Sequence, residues 1–445
     1  MNPFENLPAK GTEFYHDWEH LWPESYDFRE ADPYTRTRVI LMNGTEFENV
    51  WFSHQFFRHS VDNDLRRVLA LLRRSEQQQQ KAVSHLKPRE ESILAHTIGY
   101  EQLAVDLTAY LAKHVTDEGL KNALDFALLE DFDHLYRYAD YMELHEKRHA
   151  EDLVGGYTEI MPGRPTIAHH RHPYDSVRFP ITDKAPATVD VLAANIITAA
   201  EQQTMNFYMN VCGVYPDETG RRLYEEIGMI EEQHVSQYGS LLNPNLTWLE
   251  NLLVHQYTEC YLYWSCFETE STRHVRAFWE KMLEMELAHL HTAAELLKEY
   301  ENREWQQVIP DGNFPEPLML TGNIPYVREV LKNTVNHTAR REYYVPVDTL
   351  GGESDFAEYQ KKVNQPVENV VSHQVIEETC ASRRRSIRCR NCGIARRITC
   401  WWAGKGPLQS SAEAFRTEKR EILAEIRTKG GECLNFRHSA PFDRF

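Results

Sequence analysis

The stretch YEEIGMIEEQHVSQYGS, residues 224–240, carries Glu231 and His234 three positions apart within the apolar spacing of an α-helix. The stretch ALLEDFDHLYRYADYM, residues 127–142, carries Asp131 and His134 at the same spacing, 100 positions earlier. Residues three apart lie one helical turn apart on one face, so each pair can point an oxygen and a nitrogen at one place. A single such pair is common on helix surfaces, so the interpretation depends on the surrounding sequence.

A further glutamate precedes each pair by the same distance. Asp131 follows Glu101 by 30 positions, and Glu231 follows Glu201 by 30 positions. Turn signals near residues 116 and 216 fall midway, and a helical hairpin brings residues equidistant from its turn to the same height. The sequence therefore predicts two hairpins with facing ligands, built from helices at 88–113, 117–150, 187–211 and 217–241.

The residues one turn before and after these carboxylates are apolar. Ile197 and Met205 flank Glu201, and Ile227 precedes Glu231. A carboxylate on an apolar face points into the core, where an isolated charge is costly. The sequence thus favours a cation between the carboxylates, and a bundle with buried ion pairs and no metal is the alternative. Four carboxylates and two imidazoles suit a pair of iron or manganese ions.

This set resembles the ferritin-like superfamily, which includes ferritins, rubrerythrins and the ribonucleotide reductase small subunit. The resemblance covers about 155 residues, and the long 151–186 connection is similar to the crossover of that fold. It implies an all-α chain with a ferritin-like four-helix bundle at 88–242, and two bound iron ions or an Fe/Mn or Mn/Mn pair. The implied metal ligands are Glu101, Asp131, His134, Glu201, Glu231 and His234.

The resemblance also implies roles for individual ligands. Glu231 is the expected bridging carboxylate, whereas Glu101, Asp131 and Glu201 are expected to be terminal or asymmetric ligands. Asp131 departs from the family, which usually has Glu there, so the metal pair is expected to be asymmetric or weakly held. The implied partners are dioxygen or peroxide together with a small molecule or an electron donor.

Three other features of the sequence lie outside this set of six residues. Tyr138 and Tyr238 lie four residues after each histidine and are either core aromatics or redox-active neighbours of the metals. A third hairpin, formed by helices at about 247–269 and 273–300, is expected to extend the bundle. It carries a second set of ligand-type residues, which either pairs across a homodimer or serves packing; its members are Glu259, Glu286 and His289. The motif HHRH at 169–172 is expected on a solvated loop.

Composition and charge limit the possible functions. Residues 381–445 hold 15 Lys and Arg against 6 Asp and Glu, a net charge of +9. Because the whole chain has a net charge of −18, the first 380 residues carry −27. Such an acidic body argues against nucleic-acid binding by the main domain. There is no membrane-length apolar run and no leader signal at the N-terminus, so we expect a cytoplasmic protein. Phosphate-binding and nucleophile-elbow motifs are absent from the sequence.

The sequence predicts five regions: an N-terminal extension with one helix (1–87), the di-metal bundle (88–242), an additional helical hairpin (243–300), a mixed extension (301–380) and a basic tail (381–445). In the tail, Cys389 and Cys392 form a CRNC motif without the second pair that a zinc site needs. Three functions remain open. They are a di-iron oxidoreductase, a ferroxidase or iron-handling protein, and a metal-free helical interaction protein.

Overall fold

Helices make up most of the described chain in the computed structural model, which describes residues 1–8, 17, 22–164, 166–182, 186–364, 366 and 369–382. The expectation of a mainly α-helical protein is confirmed. The long helices are α1 (Pro33–His59), α2 (Asn63–His85), α3 (Ile93–His114), α4 (Glu118–His145), α7 (Thr188–Val214), α8 (Glu218–Gly239), α9 (Trp248–Thr269) and α10 (Arg273–Glu301). The short ones are α5 (Glu151–Val154), α6 (Thr166–His169), α11 (Ile324–Thr334), α12 (Asp355–Val363) and α13 (Val371–Ser382).

Side-chain caps explain where the site-bearing helices begin. The Asp117 carboxylate accepts a hydrogen bond from the Leu120 amide at the start of α4. The Asp217 carboxylate accepts one from the Gly220 amide at the start of α8. Each cap satisfies an amide that would otherwise lack a partner, and its charge favours the positive end of the helix. Both hairpins therefore turn at equivalent places, and their facing residues come into register.

Two groups of four helices pack together. In the inner group, α3 pairs with α4 and α7 with α8, while α3 also contacts α7 and α4 contacts α8. In the outer group, α1 pairs with α2 and α9 with α10, while α1 contacts α9 and α2 contacts α10. Helix α1 also packs on α3 and α7, so it joins the two groups.

The N-terminal region differs from its prediction. One helix was expected before residue 88, and the structure has two, α1 and α2. Helix α1 lacks an amphipathic pattern because it is covered from several sides, and even Arg36, Arg38 and Glu46 are buried in it. The α9–α10 hairpin was expected to have no second hairpin within the chain to pair with. It packs instead against the hairpin formed by α1 and α2.

Several of the remaining described elements pack on the inner group, whereas residues 313–318 contact α9 of the outer group. The connection after α4 contains α5 and α6 and brings Arg164 and Arg171 into the core. After α10 come α11, an antiparallel pair formed by β1 (His337–Arg340) and β2 (Tyr343–Pro346), and then α12 and α13. Helix α13 packs on α4 and α8. Cys389 and Cys392 lie outside the described residues.

Within the described ranges, every helix is too short or too polar to cross a lipid bilayer.

Candidate metal centre

The six side chains singled out from the sequence meet in the middle of the inner group. Helix α3 supplies Glu101 and α7 supplies Glu201, while α4 and α8 each supply a carboxylate and a histidine. All six are 0–1 % exposed to solvent. Their ligand atoms form two clusters in which all atoms lie within 4.8 Å of one another. The clusters are Asp131, Glu201, Glu231 and His234, and Glu101, His134 and Glu231.

Glu231 is the one residue that belongs to both clusters. Its Oε1 lies 2.9 Å from His134 Nδ1, and its Oε2 lies 3.0 Å from His234 Nδ1. Asp131 Oδ1 lies 3.3 Å from His234 Nδ1, so Asp131 groups with the histidine of the other hairpin. The carboxylate of Glu231 therefore spans the gap between two clusters that each contain one imidazole.

Several oxygens of this centre have no hydrogen-bond donor. Both oxygens of Asp131, both of Glu201 and one of Glu101 are buried without a partner. A buried acceptor without a donor costs free energy, and a buried unpaired charge costs more. Carboxylate oxygens and imidazole nitrogens at these separations are a donor set for hard or borderline divalent ions. This buried Asp, Glu and His cluster could hold a metal ion.

The charges of the centre depend strongly on one another. Burial and the neighbouring Glu231 raise the pKa of Glu101 well above its usual value, and burial raises that of Glu201 to about 7. Burial opposes ionisation of Glu231 as well, but His134 and His234 lower its pKa to about 2. Burial disfavours a charged His234, yet Asp131 and Glu201 raise its pKa well above 6.5. Without a metal, protons and imidazolium charge compensate these carboxylates.

A buried ion-pair network that sequence reasoning missed holds His234 from its other side. The Nε2 atom of His234 lies 2.8 Å from Glu130 Oε2, while Glu130 also pairs with Arg164 at 3.1 Å and Arg171 at 3.0 Å. Burial would raise the pKa of Glu130, but Arg171 and His234 hold it well below its usual value. Glu130 is thus the acceptor that orients this imidazole, with Nδ1 left facing the carboxylates. Its position next to Asp131 was the only signal in the sequence.

The tyrosines beside the centre include one that the sequence did not predict. Tyr138 and Tyr238 are buried beside it, and their hydroxyls have no hydrogen-bond partner. Tyr208 on α7, which sequence reasoning missed, donates a 2.5 Å hydrogen bond to Glu101 Oε1. Its ring packs against those of Tyr138 and Tyr224. A redox role for Tyr138 and Tyr238 stays a prediction.

The HHRH motif does not lie on a solvated loop, so that expectation was wrong. His169 is fully buried, and its ring centroid lies 5.3 Å from that of His134. Its Nε2 lies 2.7 Å from the carbonyl oxygen of Arg164. The motif is buried because the 151–186 connection folds over the inner group and carries Arg171, the third residue of the motif, to Glu130.

The second set of ligand-type residues, on the third hairpin of the sequence analysis, lies apart from these six side chains. Glu259 on α9 and Glu286 and His289 on α10 are buried in the outer group. His289 Nδ1 lies 3.1 Å from Glu286 Oε1, and the partners of Glu259 come from α1 and α9. The outer group of one chain therefore surrounds this set, and a dimer is not needed to enclose it.

Two surface cavities lie away from the buried centre. They have volumes of about 620 Å³ and 450 Å³ and adjoin the β1–β2 hairpin, and none of the six side chains lines either of them. The six side chains themselves are at most 1 % exposed, so the centre is shielded from solvent by the described part of the chain.

Fold and site together define a mainly helical protein with a buried carboxylate–imidazole cluster able to take a metal. No family model, curated protein or solved structure matches the chain.

Proposed function

We propose that the chain is a di-metal carboxylate protein with a ferritin-like inner bundle, and that it acts as an oxidoreductase on dioxygen or peroxide. The observation that carries the proposal is Glu231, which is shared by two ligand clusters that each hold one histidine. A carboxylate in that place can bridge two ions. Iron or manganese suits a mixed carboxylate and imidazole donor set, and helical bundles build di-metal sites from such residues.

Each side chain has a definite part in this proposal. Asp131, Glu201 and His234 would hold one ion, and Glu101 and His134 the other, with Glu231 between them. Glu130 accepts from His234 Nε2 and leaves Nδ1 free for metal, and Tyr208 fixes one oxygen of Glu101. Bound metal would supply the electrons and open coordination positions for reduction of dioxygen or peroxide. The closed surroundings keep bulk water from the centre.

A metal-free interaction protein explains the centre less well. A bundle stabilised by ion pairs alone would pair each of its buried acceptors, yet the four oxygens of Asp131 and Glu201 share one imidazole, His234, and none of them accepts a hydrogen bond. By contrast, Glu130 nearby is fully compensated by two arginines. All four carboxylates of the centre thus keep at least one buried oxygen that accepts no hydrogen bond and that a metal ion would satisfy.

Metal analysis tests the proposal. Purified wild-type protein should contain about two iron or manganese ions in the inner group, and Glu231→Ala should lose most of them because it removes the shared ligand. Glu225→Ala, on the exposed face of the same helix, is the matched control and should keep them. Equal metal content in the wild type and Glu231→Ala, both folded, would refute the proposal.

A second measurement addresses the reaction. Iron-loaded protein with a chemical reductant should consume dioxygen or peroxide catalytically without accumulating iron mineral. Steady mineral growth would favour iron handling over an oxidoreductase.

A further inference from the structure

The surface cavity of about 450 Å³ lies where the start of α4 meets the β1–β2 hairpin. Its volume is in the range of small-molecule sites, about 300–1,000 Å³. Four aromatic side chains line it; they are Phe126, Phe179, Tyr343 and Tyr344. They come from α4, from the segment between α6 and α7, and from β2. A pocket with several aromatic walls and a few polar groups is the usual form of a site for an organic ligand.

Two of these rings, Phe126 and Tyr344, form a rigid floor of the cavity. They are stacked with their centroids 4.3 Å apart. The guanidinium of Arg164 lies 4.0 Å from the centroid of Phe126, and that of Arg178 lies 4.6 Å from the centroid of Tyr344. The Tyr344 hydroxyl also donates to Gln237 Oε1 at 2.9 Å. The floor is therefore formed before a ligand binds, and a preformed surface loses little conformational entropy on binding.

The other two rings of the lining are exposed. Phe179 is 59 % exposed and Tyr343 is 62 % exposed. Their centroids are 5.8 Å apart, and the rings meet edge to face. Two large aromatic side chains that touch each other and remain in water are unfavourable in the free protein and typical of a ligand site. Their exposed surfaces offer a place where a third ring can pack.

The charges at the cavity favour a cation. Three carboxylates, one guanidinium and one imidazole line it; these are Glu118, Asp125, Glu342, Arg178 and His337. Asp125 is paired with Lys121 at 2.7 Å, and Arg178 donates to the carbonyl oxygen of Arg341 at 2.6 Å. The two glutamates remain as the charges available to a ligand. Because the first 380 residues are also strongly acidic, the local and the overall charge both favour a cation over an anion.

The floor of the cavity adjoins the ion-pair network around His234. The Phe126 ring lies 4.0 Å from the guanidinium of Arg164 and 5.3 Å from that of Arg171. Both arginines pair with Glu130, which contacts His234 Nε2. A ligand in the cavity would therefore touch the same ring that these two arginines cover.

We propose that this cavity is a binding site for an aromatic organic cation. The rings of Phe179 and Tyr343 pack on the aromatic part of the ligand and attract its charge through their electron-rich faces, and Glu118 and Glu342 lie beside that charge. An aliphatic cation would leave the exposed rings in water, and an aromatic anion would be repelled by the glutamates. The site lies apart from the six side chains of the inner centre, and its ligand needs no metal.

Fluorescence titration of the full-length protein with proflavine, a flat aromatic cation, tests the site. Wild type should bind about one proflavine per chain in this cavity. Tyr343→Ala and Phe179→Ala should each weaken binding about tenfold, because each removes a ring that packs on the dye. Both side chains are mostly exposed, so the variants are expected to fold, and circular dichroism checks this. Tyr300→Ala, which removes a tyrosine exposed on α10, is the control and should bind proflavine as wild type does.

A charge variant and a second dye test the chemical class of the ligand. Glu342→Gln should weaken proflavine binding about twofold to fivefold, because the amide keeps the shape of the side chain but loses its charge. Glu284→Gln, on the exposed face of α10, is the control and should bind as wild type. Fluorescein, a flat aromatic anion, should bind the wild type much more weakly than proflavine does.

Two results would overturn the proposal. Equal affinity of wild type, Tyr343→Ala and Phe179→Ala for proflavine would show that the dye binds to acidic surface elsewhere. Fluorescein binding as tight as that of proflavine would show that the cavity does not select a cation.

Discussion

Glu130 and Asp131 are neighbours in the chain but have different electrostatic environments. Glu130 contacts Arg164, Arg171 and His234, while both oxygens of Asp131 lack donors. Glu130 is therefore compensated by two arginines, whereas Asp131 has the imidazole of His234, which it shares with Glu201 and Glu231. The difference arises because the 151–186 connection brings two arginines to Glu130 alone.

Replacing Glu130 tests this network. In metal-free protein at pH 7, Glu130→Gln should lower the free energy of unfolding by about 3–5 kcal/mol, since it leaves two buried arginines without a counter-charge. The folded-state pKa of Glu130 lies well below 4.5, so its contribution is complete above about 4.5 and is lost as the pH falls through the folded-state value. The deficit measured by urea unfolding should thus be the same at pH 7 and pH 5.

A surface carboxylate provides the comparison. Glu329 pairs with Lys332 on the exposed side of α11, so Glu329→Gln should change the unfolding midpoint little. Similar midpoints for Glu130→Gln and Glu329→Gln would contradict a structural role for the Glu130 ion pairs.

The clustering of the six carboxylate and histidine side chains could be predicted from the sequence because local spacing fixes their positions. Two residues three apart on a helix share a face in any fold, and a short turn fixes which residues of a hairpin meet. Glu130, Arg164 and Tyr208 could not be predicted in the same way. Their contacts depend on how a long connection and two distant helices pack, and no local period encodes that packing.

Helix α1 was missed at the scale of elements for a related reason. Hydrophobic periodicity reveals a helix that has one wet and one dry face. Helix α1 contacts α2, α3, α7 and α9, so it buries polar and apolar residues alike. The sequence predicted helices α3, α4, α7 and α8 because their turn residues and the periodic spacing of their apolar residues are clear signals.

Replacing glycine by alanine should have opposite effects on stability at two positions, Gly99 and Gly228. A Cβ added at Gly99 on α3 would lie 2.5 Å from Arg36 Cδ and 2.9 Å from Ile40 Cδ1 of α1. Gly99→Ala should therefore force the two helices apart and cost about 1–3 kcal/mol. A Cβ at Gly228 on α8 would lie 3.4 Å from Met209 Sδ, an ordinary contact.

Gly228→Ala is accordingly the matched control, and its higher helix propensity should stabilise the protein by up to about 1 kcal/mol. Urea unfolding of both variants measures the difference. Stabilisation by Gly99→Ala would show that α1 and α3 are not in close contact.

For the whole molecule, metal binding should act on stability. A ligand that binds only the folded chain stabilises it by about 2.7 kcal/mol at a concentration 100 times its Kd. The melting temperature of metal-free protein should rise on adding Fe²⁺ without oxygen or Mn²⁺, and should fall again with a chelator. Calorimetry measures both changes, and the rise should be smaller in Glu231→Ala than in Glu225→Ala. An equal rise in both variants would mean that the ions bind elsewhere.

The two hairpins of the outer group, α1–α2 and α9–α10, lie on either side of the inner hairpins in the sequence, so they are synthesised at different times. The α1–α2 hairpin, which ends at His85, leaves the ribosome before the α9–α10 hairpin, which completes the outer group and ends at Glu301. At translation rates of 5–20 residues per second, the first hairpin waits roughly 10–40 s for its partner. Throughout that time Glu46 and Glu76 have no counterpart from α9 or α10, while the inner hairpins can already assemble. The inner group can thus assemble before the outer group, and a holding chaperone would act on the α1–α2 hairpin.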